Sequence, residues 1–269
     1  MKKLLFSLAT VSMMWSCSGS KSSLSFAEST LSENSKLSAI FWQQTAAEYD
    51  ALCYQAFNLA TNRVESMAMD QMASNSNKMA IVMDLDETVL DNSPFNGWLI
   101  HNNKTYTQEN WTEWTSQASA AFVPGAVEFI EMATNQGFKI IYISNRTIEE
   151  LEITISNLGK AGIVVSPSDV MLKTETSSKI DRRDKVLSSY EIFMLIGDNL
   201  ADFNDQFDQD LNINRRKELT VKFRNEFGSK FIVLPNVMYG NWEKALKNNN
   251  SDYIQNNDAI GLKKYIKGF

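Results

Sequence analysis

The stretch MAIVMDLDET, residues 79–88, determines which fold this sequence can adopt. Its five consecutive apolar residues, 79–83, are typical of a strand buried on both faces, as in a parallel sheet covered by helices. Two carboxylates, Asp84 and Asp86, follow the apolar run and are separated by one residue. Because side-chain direction alternates along a strand, both carboxylates can face the same side at the strand's end. The stretch therefore predicts a buried strand that brings paired acids to one edge of a sheet.

Further apolar runs of strand length occur later in the chain, at residues 139–143, 169–172, 192–196 and 230–234. Helical patterns lie between them. Larger or apolar residues recur every three or four positions from Trp42 to Met67, which predicts one long amphipathic helix. Pro124 and Gly137 bound a second helical pattern, and Thr147 begins a capping box. Apolar strands that alternate with helices predict an α/β fold, a doubly wound, Rossmann-like parallel sheet with an N-terminal helical segment.

One segment does not fit this alternation. Residues 92–122 form a stretch too long for a simple loop, and they contain three tryptophans, Trp98, Trp111 and Trp114. We therefore expect a small helical, cap-like insertion over the edge of the sheet.

The amino terminus resembles a bacterial targeting segment. Lys2 and Lys3 precede a mostly apolar run, residues 4–15, which is shorter than the roughly 20 residues of a membrane-spanning helix. The stretch MWSC at residues 14–17 resembles a lipobox in which Cys17 is acylated; the alternative is an ordinary signal peptide with a cysteine there by chance. The prediction is a signal peptide at 1–16 and a lipidated, Ser-rich tether at 17–35. Lipidation implies a place in the cell envelope, in the outer membrane.

Composition excludes several classes of protein. The formal net charge of −6 argues against binding to a nucleic-acid polymer through bulk positive charge. A single histidine and two cysteines exclude a phosphatase with two catalytic histidines, a multi-histidine zinc site and a disulfide scaffold. The chemistry must therefore depend on carboxylates, hydroxyls, amides, lysine and arginine. The charge runs at residues 182–183 and 215–217 are interpreted as solvated helix faces.

Polar motifs follow three of the apolar runs: DLDET at 84–88, SNR at 144–146 and GDN at 197–199. In an open parallel sheet, ligands bind beyond the carboxyl ends of the strands. Each motif alone would also suit an ordinary polar turn, but their joint occurrence at strand ends predicts a single site.

These motifs resemble those of the haloacid dehalogenase (HAD) superfamily and, within it, of the class C acid phosphatases, including bacterial lipoprotein 5′-nucleotidases. The stretches DLDETVLDNSP (84–94) and GDNLADF (197–203) are similar to the two family signatures. Four further motifs occur in the family's order, namely PGA at 124–126, SNR at 144–146, SK at 178–179, and FG at 227–228 with LPN at 234–236. The resemblance spans residues 37–246, so that residues 36–269 are predicted to form an HAD-like phosphatase domain with its insertion at about 92–122.

The resemblance implies a role for each acid. Asp84 would be the nucleophile that forms an acyl phosphate, and Asp86 would protonate the leaving alkoxide and then deprotonate the attacking water. Asp84, Asp198 and the backbone carbonyl of Asp86 would hold Mg²⁺, an ion that prefers oxygen ligands. Asp202 would either hold a metal-bound water or orient a neighbouring lysine.

The remaining site residues concern phosphate and substrate. Ser144 would donate its hydroxyl to a phosphate oxygen, supported by Asn145, and Lys179 would supply positive charge. Lys179 taken alone would be a solvated helix lysine. Trp111 and Tyr239 either pack in the core or stack on a nucleobase. The predicted function is that of a Mg²⁺-dependent acid phosphatase or 5′-nucleotidase acting on small phosphomonoesters. Two alternatives are a non-enzymatic envelope lipoprotein that binds a ligand, and a phosphotransferase; the oligomeric state is left open, a homo-oligomer included.

Overall fold

A five-stranded parallel sheet forms the centre of this computed structural model, which describes residues 36–71, 78–209, 211–248 and 268. The strand order is β5-β4-β1-β6-β7. These strands are β1 (Met79–Met83), β4 (Lys139–Thr147), β5 (Val170–Lys173), β6 (Glu191–Gly197) and β7 (Phe231–Val233). All neighbours run parallel, and β1 occupies the middle between β4 and β6. The α/β fold class predicted from the sequence is confirmed.

Helices connect the strands and cover the sheet. The α-helices among the described residues are α1 (Leu37–Thr45), α2 (Ala47–Gln71), α3 (Ser93–His101), α4 (Gln108–Thr115), α5 (Ala126–Asn135), α6 (Leu151–Gly159), α7 (Ile180–Leu187), α8 (Gln206–Gln209), α9 (Ile213–Lys222) and α10 (Asn241–Asn248). Short 3-10 turns occur at Ile148–Glu150, Pro167–Asp169 and Leu200–Asp202. In the described part of the chain, no helix has the length and apolar character that crossing a membrane requires.

The core lies on both faces of the sheet, because alternate residues of each strand point in opposite directions. In β1, Ile81 and Met83 belong to a large buried cluster that also contains residues of α2 and α5. Ala80 and Val82 belong to a second cluster that includes Val186 of α7. Burial on both faces explains why the strands are continuous apolar runs and do not alternate with polar residues.

The N-terminal helical pattern contains a break that the sequence analysis missed. Helix α1 ends at Thr45 and α2 begins at Ala47, because Ala46 between them has an extended backbone (φ −86°, ψ 120°). Two glutamines of α1 face the start of the insertion: Gln43 donates to Asp91 at 2.8 Å and Gln44 donates to Ser93 at 3.2 Å. The expectation of one continuous helix from Trp42 to Met67 is therefore wrong, since a single extended residue redirects α1 without interrupting the apolar spacing.

The segment after β1 forms a separate small unit. Strand β2 (Leu90–Asp91) pairs antiparallel with β3 (Ala121–Phe122), and α3 and α4 lie between these two strands in the chain. The helices share a small apolar cluster made by Phe95, Leu99 and Trp111. The predicted signal peptide and tether, including Cys17, lie outside the described residues.

Candidate active site

Two acids stand at the ends of adjacent strands. Asp84 directly follows β1, and its backbone N–H donates to the carbonyl of Ile196 in β6 at 2.9 Å. Asp198 directly follows β6. Since β1 and β6 are parallel neighbours, their carboxyl ends lie together, and the side chains that follow them share one edge of the sheet.

A third acid, Asp202, completes a carboxylate cluster. One carboxylate oxygen from each of Asp84, Asp198 and Asp202 lies within 4.8 Å of the others. Asp202 reaches this position because the residue opposite it is glycine, since a Cβ on Gly197 would collide with the Asp202 carboxylate. The Asp202 side chain also accepts a hydrogen bond from the backbone N–H of Asn199 at 3.0 Å, which anchors it at the start of the 3-10 turn.

The cluster receives one buried ammonium group. Lys179 is 8% exposed, forms an ion pair with Asp84, and forms a second with Asp202 at 2.7 Å. Lys179 immediately precedes α7, so the turn before this helix carries its side chain back towards the strand ends. Three carboxylates therefore face one lysine, and the fully ionised cluster has an excess of negative charge.

Burial controls the protonation of these groups. Burial raises the pKa of Asp84 to about 7, an effect that Lys179 opposes and that Asp202 and Asp86 reinforce. Burial also raises the pKa of Asp198 well above its ordinary value, although Asn236 donates to this carboxylate at 2.7 Å. Burial alone would lower the pKa of Lys179, but Asp202 and Asp84 outweigh it and raise that pKa. The three clustered carboxylates are a donor set that suits a metal ion with a preference for oxygen ligands.

Asp86 has a different environment from Asp84. Its carboxylate accepts hydrogen bonds from Arg146 Nη2 at 2.8 Å and Nε at 3.0 Å, from Ser144 Oγ at 3.2 Å and from Asn92 Nδ2 at 2.9 Å. Arg146 is almost fully buried, and its remaining nitrogen, Nη1, donates to Thr154 at 3.1 Å. The two acids of the DLDET motif thus have different charged partners: Lys179 pairs with Asp84, and Arg146 pairs with Asp86.

The C-terminal part of β4 supplies the predicted site residues Ser144 and Asn145. Ser144 is fully buried, and besides contacting Asp86 its hydroxyl accepts from the backbone N–H of Arg146 at 3.1 Å. Asn145 is exposed, and its side-chain oxygen accepts from Arg182 Nη2 at 2.8 Å. Asp86 and Ser144 are therefore joined by a hydrogen bond, whereas Asp84 and Lys179 form an ion pair.

The interpretation of residues 182–183 and 215–217 as solvated helix faces is wrong for three arginines. Arg182, Arg183 and Arg216 are each less than a tenth exposed. Arg182 donates to the carbonyls of Ser144 at 2.5 Å and Ser178 at 2.9 Å, and Arg183 donates to the carbonyl of Asp202 at 3.1 Å. Their long side chains cover the polar backbone of the site loops, which explains how charged groups are buried there. The spacing could have indicated that these arginines are buried, because positions 182, 183 and 186 lie on one helix face.

The two predicted stacking aromatics occupy different surroundings. Trp111 is 9% exposed, meets the Phe95 ring edge-on with 5.2 Å between centroids, and faces the Arg146 guanidinium at 5.7 Å. Tyr239 is half-buried in the segment after β7, and its backbone N–H donates to the Asn236 side chain at 3.4 Å. Trp111 thus packs within the insertion and contacts the arginine that holds Asp86, a role that sequence reasoning did not assign to Arg146.

Comparison with known proteins gives consistent similarities. A family model described as HAD superfamily, subfamily IIIB (acid phosphatase) matches residues 1–242. The class C acid phosphatase from Bacillus anthracis with tungstate bound is 33% identical, has a TM-score of 0.78, and is matched over 89% of this chain and 99% of that chain. A second structure of that enzyme gives 34% identity and a TM-score of 0.79 over the same shares.

Curated plant proteins show more distant similarity. A stem 31 kDa glycoprotein of Glycine max is 29% identical over 178 residues, which are 60% of this chain and 59% of that protein. Acid phosphatase 1 of Solanum lycopersicum is 23% identical over 130 residues, 46% of this chain and 50% of that protein. The chain thus spans between half and three fifths of the length of these curated relatives.

Proposed function

Because this chain belongs to subfamily IIIB of the HAD superfamily, the acid phosphatase subfamily, we propose that it is a Mg²⁺-dependent acid phosphatase that hydrolyses small phosphomonoesters. One observation carries the proposal: Asp84 lies at the end of the central strand, paired with the buried Lys179, within a cluster of carboxylates. The similar Bacillus anthracis enzyme was solved with tungstate, a tetrahedral oxyanion of the same shape and charge type as phosphate.

The reaction proceeds in two displacements at phosphorus. A carboxylate oxygen of Asp84 attacks, forming an oxygen–phosphorus bond while the ester oxygen leaves. Asp86, in its acid form, transfers its proton to the departing alkoxide. The Asp86 carboxylate then takes a proton from a water molecule that attacks the aspartyl phosphate, and inorganic phosphate leaves as Asp84 is regenerated. Lys179 neutralises part of the phosphate charge throughout, and the Ser144 hydroxyl is a donor to a phosphate oxygen.

Asp84, Asp198 and the backbone carbonyl of Asp86 would hold the Mg²⁺ ion. When bound, it offsets the repulsion between an anionic nucleophile and an anionic phosphate. Asp202 contributes to the site by holding Lys179. One of its carboxylate oxygens pairs with the Lys179 ammonium, and the other accepts a hydrogen bond from the backbone N–H of Asn199. This supports the predicted role of Asp202 in orienting Lys179.

The covalent role of Asp84 is tested by the Asp84→Asn variant. An amide is a poor nucleophile, so we expect hydrolysis of 4-nitrophenyl phosphate to fall by about three orders of magnitude or more, with unchanged circular dichroism. Asp169→Asn is the matched control, because Asp169 is an acid beside β5 that pairs with Lys139 away from the site. Turnover retained by Asp84→Asn, with Asp169→Asn also active, would contradict the covalent mechanism.

Nucleoside monophosphates are the proposed substrate class. The insertion supports this, because it places aromatic side chains beside the groups that hold Asp86: Trp111 faces Arg146, and the exposed Tyr106 lies 6.3 Å from the Trp111 ring. If Trp111 or Tyr239 stacks on a base, replacing either by alanine should raise KM for a nucleotide about tenfold and leave KM for a small alkyl phosphate unchanged. An equal loss on both substrates would indicate packing alone.

We further propose that the protein belongs to the bacterial cell envelope and that acyl chains on Cys17 anchor it in the outer membrane. The support is the lipobox-like sequence before Cys17 and the Ser-rich stretch after it. Cys17→Ser should move phosphatase activity from the membrane fraction to the soluble fraction, whereas Cys53→Ser, which changes a buried thiol of α2, should not. Equal partitioning of both variants would exclude the anchor.

A further inference from the structure

Asn92 occupies the junction between the DLDET motif and the insertion. It is fully buried, and its backbone and side-chain polar groups are all hydrogen-bonded. Its backbone N–H donates to Glu87 Oε1 at 2.9 Å, and its side-chain Nδ2 donates to Asp86 Oδ1 at 2.9 Å. Its side-chain oxygen accepts a hydrogen bond from the indole nitrogen of Trp114 at 2.8 Å. Asn92 therefore connects the insertion helix α4 directly to the carboxylate of Asp86.

The donor properties of tryptophan fix the orientation of this amide. An indole N–H can only donate, so the oxygen of Asn92 must face Trp114. The amide NH₂ group of Asn92 is thereby directed at Asp86 and not away from it. A reversed amide would place two donors against each other and the amide oxygen against the Asp86 carboxylate.

A second contact from the same helix involves Arg146, another residue that donates to Asp86. Trp111, one helical turn before Trp114, places its ring against the guanidinium of Arg146. Arg146 donates twice to Asp86 through Nη2 and Nε. Two tryptophans of α4 thus each contact a side chain that holds Asp86, and both contacts lie within the buried part of the site.

We propose that Asn92 and Trp114 are positioning residues that orient the carboxyl group of Asp86 for proton transfer to the leaving group. This inference rests on the proposed function, because it assigns a way of aligning the acid of that same reaction. The insertion then takes part in catalysis through a hydrogen-bond chain, Trp114 to Asn92 to Asp86, without itself touching the reacting atoms.

The chemistry of the leaving group allows a specific test. An alkoxide is strongly basic and needs a proton as the bond to phosphorus breaks, whereas 4-nitrophenolate leaves readily without one. Misorientation of Asp86 should therefore slow the cleavage of an alkyl phosphate much more than that of 4-nitrophenyl phosphate. The ratio of kcat/KM for the two substrates reports on proton donation in the step that releases the alcohol.

Trp114→Phe removes the indole N–H and retains an aromatic ring. We expect kcat/KM for glycerol 2-phosphate to fall about tenfold and that for 4-nitrophenyl phosphate to change by less than about threefold. Inhibition by tungstate should stay unchanged, because the phosphate-binding groups are untouched. Trp98→Phe is the matched control, since Trp98 belongs to the same insertion but stacks on Phe95 at 6.5 Å; it should leave the ratio unchanged. Asn92→Ala should reproduce the ratio of Trp114→Phe, and the thermal midpoint is measured for each variant.

The variant Asp86→Asn, which removes the acid itself, serves as the reference. It separates failure of this inference from failure of the proposed function. Asp86→Asn should change the ratio more than Trp114→Phe does. A wild-type protein that cleaves neither substrate would contradict the proposed function itself. If the wild type is active and Asp86→Asn shifts the ratio, but Trp114→Phe and Asn92→Ala lower both substrates equally or not at all, the positioning role is wrong.

Discussion

At the scale of single residues, Glu87 shows how the site tolerates a buried acid. Its side chain is fully buried; one oxygen accepts from the Asn92 backbone, and the other, Oε2, is buried and has no hydrogen-bond partner among the described residues. Burial raises the pKa of Glu87 well above its ordinary value, and Asp86 and Asp198 add to the effect. Glu87 is therefore protonated in the folded protein at pH values where an exposed glutamate is ionised.

We predict that Glu87→Gln stabilises the metal-free protein increasingly as pH rises. The folded-state pKa lies above the unfolded one, so the folded wild type retains a proton that the unfolded chain releases, and its stability falls as pH rises between the two values. The loss is about 1.4 kcal/mol for each pH unit in this window, and glutamine avoids it. Thermal midpoints measured in chelator from pH 4 to pH 8 check this. Glu191→Gln changes an exposed acid at the start of β6 and should show no such trend; a constant offset for Glu87→Gln would contradict the account.

At the scale of elements, helix α7 is joined to strand β4 through Arg182. This side chain donates to the Ser144 carbonyl, the Asn145 side chain and the Ser178 carbonyl, so it connects the C-terminal part of β4 with the turn that carries Lys179. The predicted phosphate-binding residues Ser144 and Lys179 are 35 positions apart in the chain. Arg182 joins Ser144 directly to Ser178, the residue before Lys179.

Arg182→Lys should destabilise the protein by about 1–3 kcal/mol. A lysine retains the charge but lacks the planar guanidinium with its several N–H donors. The carbonyl groups of Ser144 and Ser178 would therefore lose hydrogen bonds. Activity should fall as well, through a higher KM for 4-nitrophenyl phosphate, because Arg182 joins the two segments that carry the proposed phosphate-binding residues Ser144 and Lys179. Urea unfolding and steady-state kinetics measure both effects. Lys185→Met changes an exposed position on the same helix and is the control. If Arg182→Lys changes stability no more than Lys185→Met does, Arg182 does not connect the two segments in the way described.

At the scale of the whole molecule, the sheet brings the three acids Asp84, Asp198 and Asp202 to one edge with a single lysine among them. Two of these acids, Asp84 and Asp198, have pKa values raised by burial, so protons and a divalent cation compete for the same oxygens. The unfolded chain does not assemble this cluster. Cation binding should therefore favour the folded state.

We predict that Mg²⁺ raises the free energy of unfolding by about 2.7 kcal/mol at one hundred times Kd, so that the thermal midpoint rises with the logarithm of the Mg²⁺ concentration. The rise should be smaller at pH 5 than at pH 8, because protons occupy the raised-pKa carboxylates at the lower pH. Chelator should reverse it. Asp198→Asn should abolish the rise and Asp169→Asn should retain it; an equal rise in both variants would place the cation elsewhere.

Much of this molecule could be anticipated from local patterns. The apolar runs identified all five strands of the parallel sheet, and the ends of three of these runs located Asp84, Ser144 and Asp198. The helical break at Ala46 was not anticipated, because one extended residue does not disturb the spacing of apolar side chains on either side of it. The burial of Arg182 and Arg183 was also missed, since a charged residue is ordinarily solvated even where it shares a helix face with a buried apolar residue.

The sequence by itself determined the α/β fold and the meeting of the acids at one edge, because solid apolar runs demand a sheet covered on both faces and parallel strands end together. Only the tertiary structure decided which partner each acid receives: Lys179 for Asp84, Arg146 and Asn92 for Asp86, and Asn236 for Asp198. The physical reason is distance along the chain. Most of these contacts join residues tens of positions apart, and no local periodicity encodes which distant side chain a folded backbone will bring within hydrogen-bonding reach.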